Sequence, residues 1–176
     1  MNILPEFEIK ALSECKAGKL IRPLSHFGKE KFALVADIEN NHRRALILLQ
    51  EDGPVFVIED QPDHHHVLEY SGDVILELDQ SGPFSAGFGK MYGQVGCMVH
   101  DGTRSLLNVR PGDIRWGPDI AQLNCQTFVL EYANNQSPNV AVFGKWKMYI
   151  GDMQGARERW VKVVSFEWSP PQEPRE

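Results

Sequence analysis

The sequence predicts a mainly β fold, an antiparallel barrel or two-layer sandwich of about nine to eleven strands with one N-terminal α-helix. Three observations lead there. From about residue 31 apolar side chains recur at every second position. Clusters of Gly, Pro, Asn and Asp interrupt that alternation where turns are needed. Only the opening segment carries a helical period.

That segment, residues 4–17, places Pro5 in the first turn, Glu6 and Glu8 near the positive end of the dipole, and Gly18 at the stop. Ile9, Leu12 and Cys15, with Phe7 and Ala11 beside them, form one apolar face able to lie on a sheet. The β body is expected over 31–168. Glu39-Asn40-Asn41-His42 joins 31–38 to Arg43–Leu49 as a hairpin. Residues 45–49 and 55–58 are apolar on both faces, as covered central strands are. Val74, Leu76 and Leu78 alternate with Asp73, Glu77 and Asp79, which predicts one acidic face. Strands follow around Val95–Val99 and up to Val109, separated by Asp101-Gly102. A long hairpin is expected from 125–133 and 139–150 around Asn134-Asn135-Gln136-Ser137-Pro138. A final strand near 159–168 carries Trp160, Val164, Phe166 and Trp168. Residues 1–168 read as a single domain, and 169–176, with three prolines, as a flexible tail.

At 176 residues and 42% hydrophobic, the chain can bury a core without disulfides or structural metal. Its net charge of −6 argues against a sequence-independent grip on nucleic acid or anionic lipid. No Lys or Arg lies between Arg44 and Lys90, while nine acids do: Glu51, Asp52, Glu59, Asp60, Asp63, Glu69, Asp73, Glu77 and Asp79. They read as solvated strand faces or as a negative patch for a cation or basic partner. Cys15, Cys97 and Cys125 lack Cys-x-x-Cys spacing, so reduced, buried thiols are expected. Pro5, Glu6 and Glu8 interrupt any signal-peptide pattern within Met1–Lys10, and no apolar run approaches a membrane span. The expected location is cytoplasmic, with no membrane partner.

Asp60-Gln61-Pro62-Asp63-His64-His65-His66 is the densest group of metal-ligating types. In an extended chain His64 and His66 share a face, and His100 or a nearby acid would have to complete a divalent-metal site. Gly93-Gln94-Val95-Gly96-Cys97-Met98-Val99, Asp101-Gly102 and Val109-Arg110-Pro111-Gly112-Asp113 resemble the strand, turn and Pro-Gly-Asp segment of cupin barrels. The resemblance implies a small barrel. It departs at the metal centre, because the second-motif His position falls near Gln122 or Leu123 and no His-x-His lies just before Tyr92. Ser85 lacks the Gly-x-Ser-x-Gly frame of a nucleophile elbow, and Gly87, Gly89, Gly93 and Gly96 lack nucleotide-loop spacing. Trp116, Trp146, Trp160 and Trp168 read as packing residues, or as a platform for a sugar or apolar ligand.

With no acid, base and nucleophile set in matching context, the expected function is non-catalytic binding of a small molecule or a protein partner, with no cofactor. Two alternatives remain open. One is a metal-dependent enzyme on a small barrel using His64, His66 and His100. The other is an assembly subunit, a homo-oligomer built through a helix or an exposed strand edge.

Overall fold

Side chains that alternate every second residue suit a pleated backbone, and in the computed structural model they produce a mainly β protein, 54% strand and 7% helical. The structure describes residues 6–24, 32–38, 41–50, 53–60, 62–112, 120–132 and 139–170. Fifteen strands are found among them: β1 (Phe7–Ala11), β2 (Leu20–Pro23), β3 (Ala33–Ile38), β4 (Asn41–Leu48), β5 (Val55–Glu59), β6 (His66–Tyr70), β7 (Asp73–Leu78), β8 (Phe84–Ala86), β9 (Met98–His100), β10 (Ser105–Pro111), β11 (Ala121–Asn124), β12 (Val129–Tyr132), β13 (Ala141–Phe143), β14 (Lys145–Gly151) and β15 (Val161–Glu167).

Three expectations are corrected. The N-terminal α-helix over 4–17 is absent: residues 7–11 are β1, and only Leu12–Glu14 turn, as a 3-10 helix. Residues 4 and 5 lie outside the described residues. Phe7, Ile9 and Ala11 fit a two-residue period as well as a helical stripe, and pairing with β6 from Phe7↔Tyr70 to Ala11↔His66 decides between them. The strand count exceeds nine to eleven because long apolar runs are divided. Gly144 splits 139–150 into β13 and β14, which belong to different sheets. Nor do 125–133 and 139–150 form a hairpin: β12 pairs β11 and β3, whereas β13 pairs β8 and β9. The 134–138 turn and residues 171–176 of the expected tail lie outside the described residues.

Between barrel and sandwich, the pairing gives a barrel. β3, β4 and β5 form one antiparallel meander and β10, β11 and β12 another. Two parallel seams join them, β5 to β10 through Arg110↔Val55 and β12 to β3 through Val129↔Asp37. The result is a closed six-stranded barrel. The sheet runs on past it: β2, β6 and β1 continue from β3, and β9, β13 and β8 continue from β10. A second sheet holds β15, β14 and β7.

These pairings repeat. Strands β1 to β7 and β8 to β14 make the same partnerships in the same order, and the registers superpose residue on residue. Leu34 lies beside Leu20 and Ile47, as Leu107 lies beside Met98 and Leu123. The seam residue Asp37 corresponds to Arg110, and its N–H donates to the Phe128 carbonyl at 3.0 Å as Arg110 N–H donates to Pro54 at 3.2 Å. β7 and β14, equivalent strands, meet antiparallel and join the two units a third time.

Inward-facing positions are apolar and buried. Leu34, Ala36, Ala45, Ile47, Phe56, Leu107, Val109, Ala121, Leu123 and Leu130 form one buried cluster, to which the smaller sheet adds Trp146, Met148, Ile150 and Phe166. A six-stranded barrel encloses only enough room for such side chains, so its interior is filled. Outside it the two units differ. The first covers Val35, Leu46 and Leu48 with Leu12, Cys15 and Val67. Asn108, Gln122 and Asn124 stand at the matching positions of the second, all buried.

Candidate interaction surface

The sequence-predicted ligand residues are distributed rather than gathered. His64 ends a 3-10 turn at Pro62–His64 and is exposed; His66 begins β6, exposed, opposite Ala11. His100 ends β9, on the other arm of the sheet, with its Nδ1 3.2 Å from Ser105 Oγ. His65, between the first two, lies 3.4 Å from Glu59. Among the described residues no group of three or more His, Cys, Asp and Glu is arranged to hold a metal ion.

Among the described residues, Lys or Arg side chains from elsewhere in the sequence reach four acids of the basic-free stretch. Arg43 lies 3.2 Å from Asp60 and Lys10 2.8 Å from Glu69. Arg157 bonds Glu77, while Lys145 and Lys147 stand 3.8 and 3.9 Å from Asp79. Glu51 and Asp52 lie outside the described residues. Burial partly opposes ionisation of Glu69, but the Lys10 ammonium and the Cys15 thiol outweigh it and hold this carboxyl below its ordinary range.

Chemistry at sulfur is equally subdued. Burial pushes the Cys15, Cys97 and Cys125 thiols up to about 12, so they are protonated at neutral pH and poor nucleophiles. Trp146 is 1% exposed, stacks on Phe166 at 5.7 Å, and donates its indole N–H to the Gly96 carbonyl at 2.7 Å. It belongs to the core. Trp160 donates to the Asp152 carbonyl at 2.9 Å and leans on Tyr149, and Trp116 lies outside the described residues. Trp168 packs, partly buried, against the core.

The exposed apolar residues tell more. Phe7 and Ile9 of β1 are 55% and 65% exposed, and Phe84 and Phe88, on and just after β8, 57% and 56%. β1 and β8 are the two ends of the large sheet, and each has only one neighbouring strand among the described residues. They are equivalent in the two units. Phe7 packs edge-on against Tyr70 at 6.1 Å, and Phe84 packs on Phe143 at 5.4 Å, the matching residue of the partner strand.

Hydrogen bonding fixes which backbone groups point outward. Ser71 N–H donates to the Glu6 carbonyl and Leu12 N–H to His65, each at 2.8 Å, so Glu6, Glu8, Lys10 and Leu12 direct their backbones toward β6. Antiparallel pairing alternates, so Phe7, Ile9 and Ala11 direct theirs to the open edge. By the same rule Gly87 N–H to Val140 and Gly144 N–H to Pro83, both 2.8 Å, leave Phe84 and Ala86 facing outward on β8. Among the described residues no second strand covers either edge, so Phe7 and Ile9 on β1 and Phe84 on β8 combine outward backbone groups with exposed apolar side chains, while the Ala11 carbonyl accepts from the Cys15 thiol at 3.6 Å. The sequence reading missed this surface because it placed Phe7 and Ile9 on a helix; the alternation Phe7-Glu8-Ile9-Lys10-Ala11 was the available signal. No protein-family model matches the chain, and no match is found among the curated proteins or the solved structures.

Proposed function

We propose that the chain is a non-catalytic binding protein that engages a protein partner through the open edges of its large sheet. The observation that carries this reading is the pair of equivalent edges, each joining outward backbone donors and acceptors to an exposed phenylalanine backed by a second ring. Such an edge suits an extended strand, whose main chain supplies affinity and whose alternate side chains supply specificity. The buried apolar interior favours this over a small ligand held inside the barrel. The dispersed histidines and protonated thiols favour it over metal or nucleophilic catalysis.

A photoreactive amino acid placed at Phe7 or Phe84 in cells expressing the chain tests the reading. Discrete protein adducts are expected at one or both edges, and none from the control position Lys162, exposed on β15. Absence of adducts at both edges, or saturable binding of a small molecule that shifts the NMR signals of Leu34, Ile47, Leu107 and Leu123, would contradict it.

A further inference from the structure

The two edges are equivalent in position but not in chemistry. β8 is three residues long, Phe84-Ser85-Ala86, carries no charge and runs into Gly87. β1 is five residues long and alternates Phe7, Glu8, Ile9, Lys10, Ala11. Glu8 and Lys10 flank Ile9 symmetrically on one face, while Phe7, Ile9 and Ala11 occupy the other. Such a strand is complementary to itself when reversed.

We propose that the β1 edge takes a second copy of this chain, β1 pairing antiparallel with β1 of the partner about a twofold axis at Ile9. This rests on the edge reading above and names the occupant. In that register Ile9 faces the partner's Ile9 as a hydrogen-bonded pair, consistent with its outward backbone groups, and Phe7 faces the partner's Ala11. Glu8 then stands opposite the partner's Lys10 as a non-hydrogen-bonded pair, where cross-strand side chains come closest. Both crossings oppose unlike charges. Shifting the axis by one residue sets Glu8 against Glu8 or Lys10 against Lys10, so charge selects a single register. Within one chain Lys10 already lies 3.1 Å from Glu8 and 2.8 Å from Glu69, so its ammonium is anchored at the edge before a partner arrives. Pairing covers two copies each of Phe7 and Ile9 along one continuous apolar stripe, and an isologous contact of this kind closes at two subunits.

Sedimentation of the purified full chain over a wide concentration range tests the proposal. The mass is expected to rise from 19.9 kDa to twice that value and no further. Glu8→Lys and Ile9→Asp, both at exposed positions, should each weaken association by at least about tenfold. Phe84→Asp should leave it unchanged. Lys10→Glu alone should also fail, yet an equimolar mixture with Glu8→Lys should recover a heterodimer, since lysine then meets glutamate at both crossings. Should loss of the Lys10–Glu69 pair unfold Lys10→Glu, the Glu8→Lys and Ile9→Asp results decide. A monomer at every concentration, or a dimer indifferent to Glu8→Lys and Ile9→Asp, would overturn the proposal. If the chain is monomeric but Phe7 crosslinks to a different protein, self-pairing falls and the edge reading survives; if neither edge crosslinks, both fall.

Discussion

Val35 and Asn108 occupy one position in the two repeated units and make the same backbone bonds. Each carbonyl accepts a glycine N–H at 2.8 Å, from Gly18 and Gly96, and each N–H donates at 3.0 Å, to Lys19 and Cys97. Their side chains diverge. Val35 packs with Leu46 in an apolar cluster, whereas Asn108 donates to the Gln94 carbonyl and accepts from Gln122, the counterpart of Leu46, both at 3.1 Å.

Asn108→Ala should cost about 1–3 kcal/mol, because it leaves the buried Gln122 amide without its acceptor, while the Gln94 carbonyl keeps the Cys97 N–H at 3.1 Å. Transplanting the first unit's solution as Asn108→Val with Gln122→Leu should bring stability back to within about 1 kcal/mol of the natural chain, since both polar partners leave together. Urea unfolding of the singles and the double measures this. A double variant as unstable as the sum of its singles would show that the amides do more than satisfy each other.

Gly96 has φ +81°, and a Cβ there would sit 2.3 Å from the Phe166 ring. Gly93 has φ +77° with no atom within 4 Å of that point. Gly93→Ala should therefore cost only backbone strain, about 1 kcal/mol. Gly96→Ala adds displacement of a ring stacked on Trp146, for a total of roughly 2–5 kcal/mol. Thermal unfolding of the two variants side by side distinguishes strain from crowding, and equal losses would contradict the packing of Phe166.

Acid should destabilise the protein through a few identifiable carboxylates. Asp101 accepts the Arg104 backbone N–H at 2.8 Å, then bonds from the Thr103 hydroxyl and N–H and the Arg104 guanidinium, which hold its carboxyl well below the usual range. Hydrogen bonds from Ser81 and then the nearby Lys145 and Lys147 do the same for Asp79. A carboxylate whose folded value is depressed contributes stability above its unfolded value, about 4, and loses it as pH falls toward the folded value. Unfolding free energy should accordingly be flat from pH 7 to about 5 and decline below that. Asp101→Asn should make the decline shallower; an unchanged slope would mean that Asp101 bonds equally well in the unfolded chain.

The mainly β character was legible in the sequence because alternation is a local property, whereas barrel and sandwich stayed open until the pairings were in place. Val74, Leu76 and Leu78 do turn to the core, and 45–49 and 55–58 do form covered barrel strands. What escaped was set by distant pairings. Residues 7–11 satisfy both a helical and an extended pattern until β6 is in place. Glu77 and Asp79 looked unpaired because Arg157, Lys145 and Lys147 come from far along the chain. The repeat was hidden because equivalence lies in register and burial, where Val35 and Asn108, or Glu69 and Val142, can share a position without sharing chemistry. Open edges are also invisible to a single sequence, since an edge is defined by the strand that does not follow.

The proposed edge binding rests on closure of the barrel at its two parallel seams. Amide hydrogen exchange at the seam residues Asp37 and Arg110 tests it most directly, read against Phe84 and Ala86 on the open β8 edge. Slow exchange at both seam amides, together with fast exchange at the two β8 amides, is expected. Fast exchange at Asp37 or Arg110, matching the β8 edge, would mean an open sheet and would contradict a sealed, filled barrel.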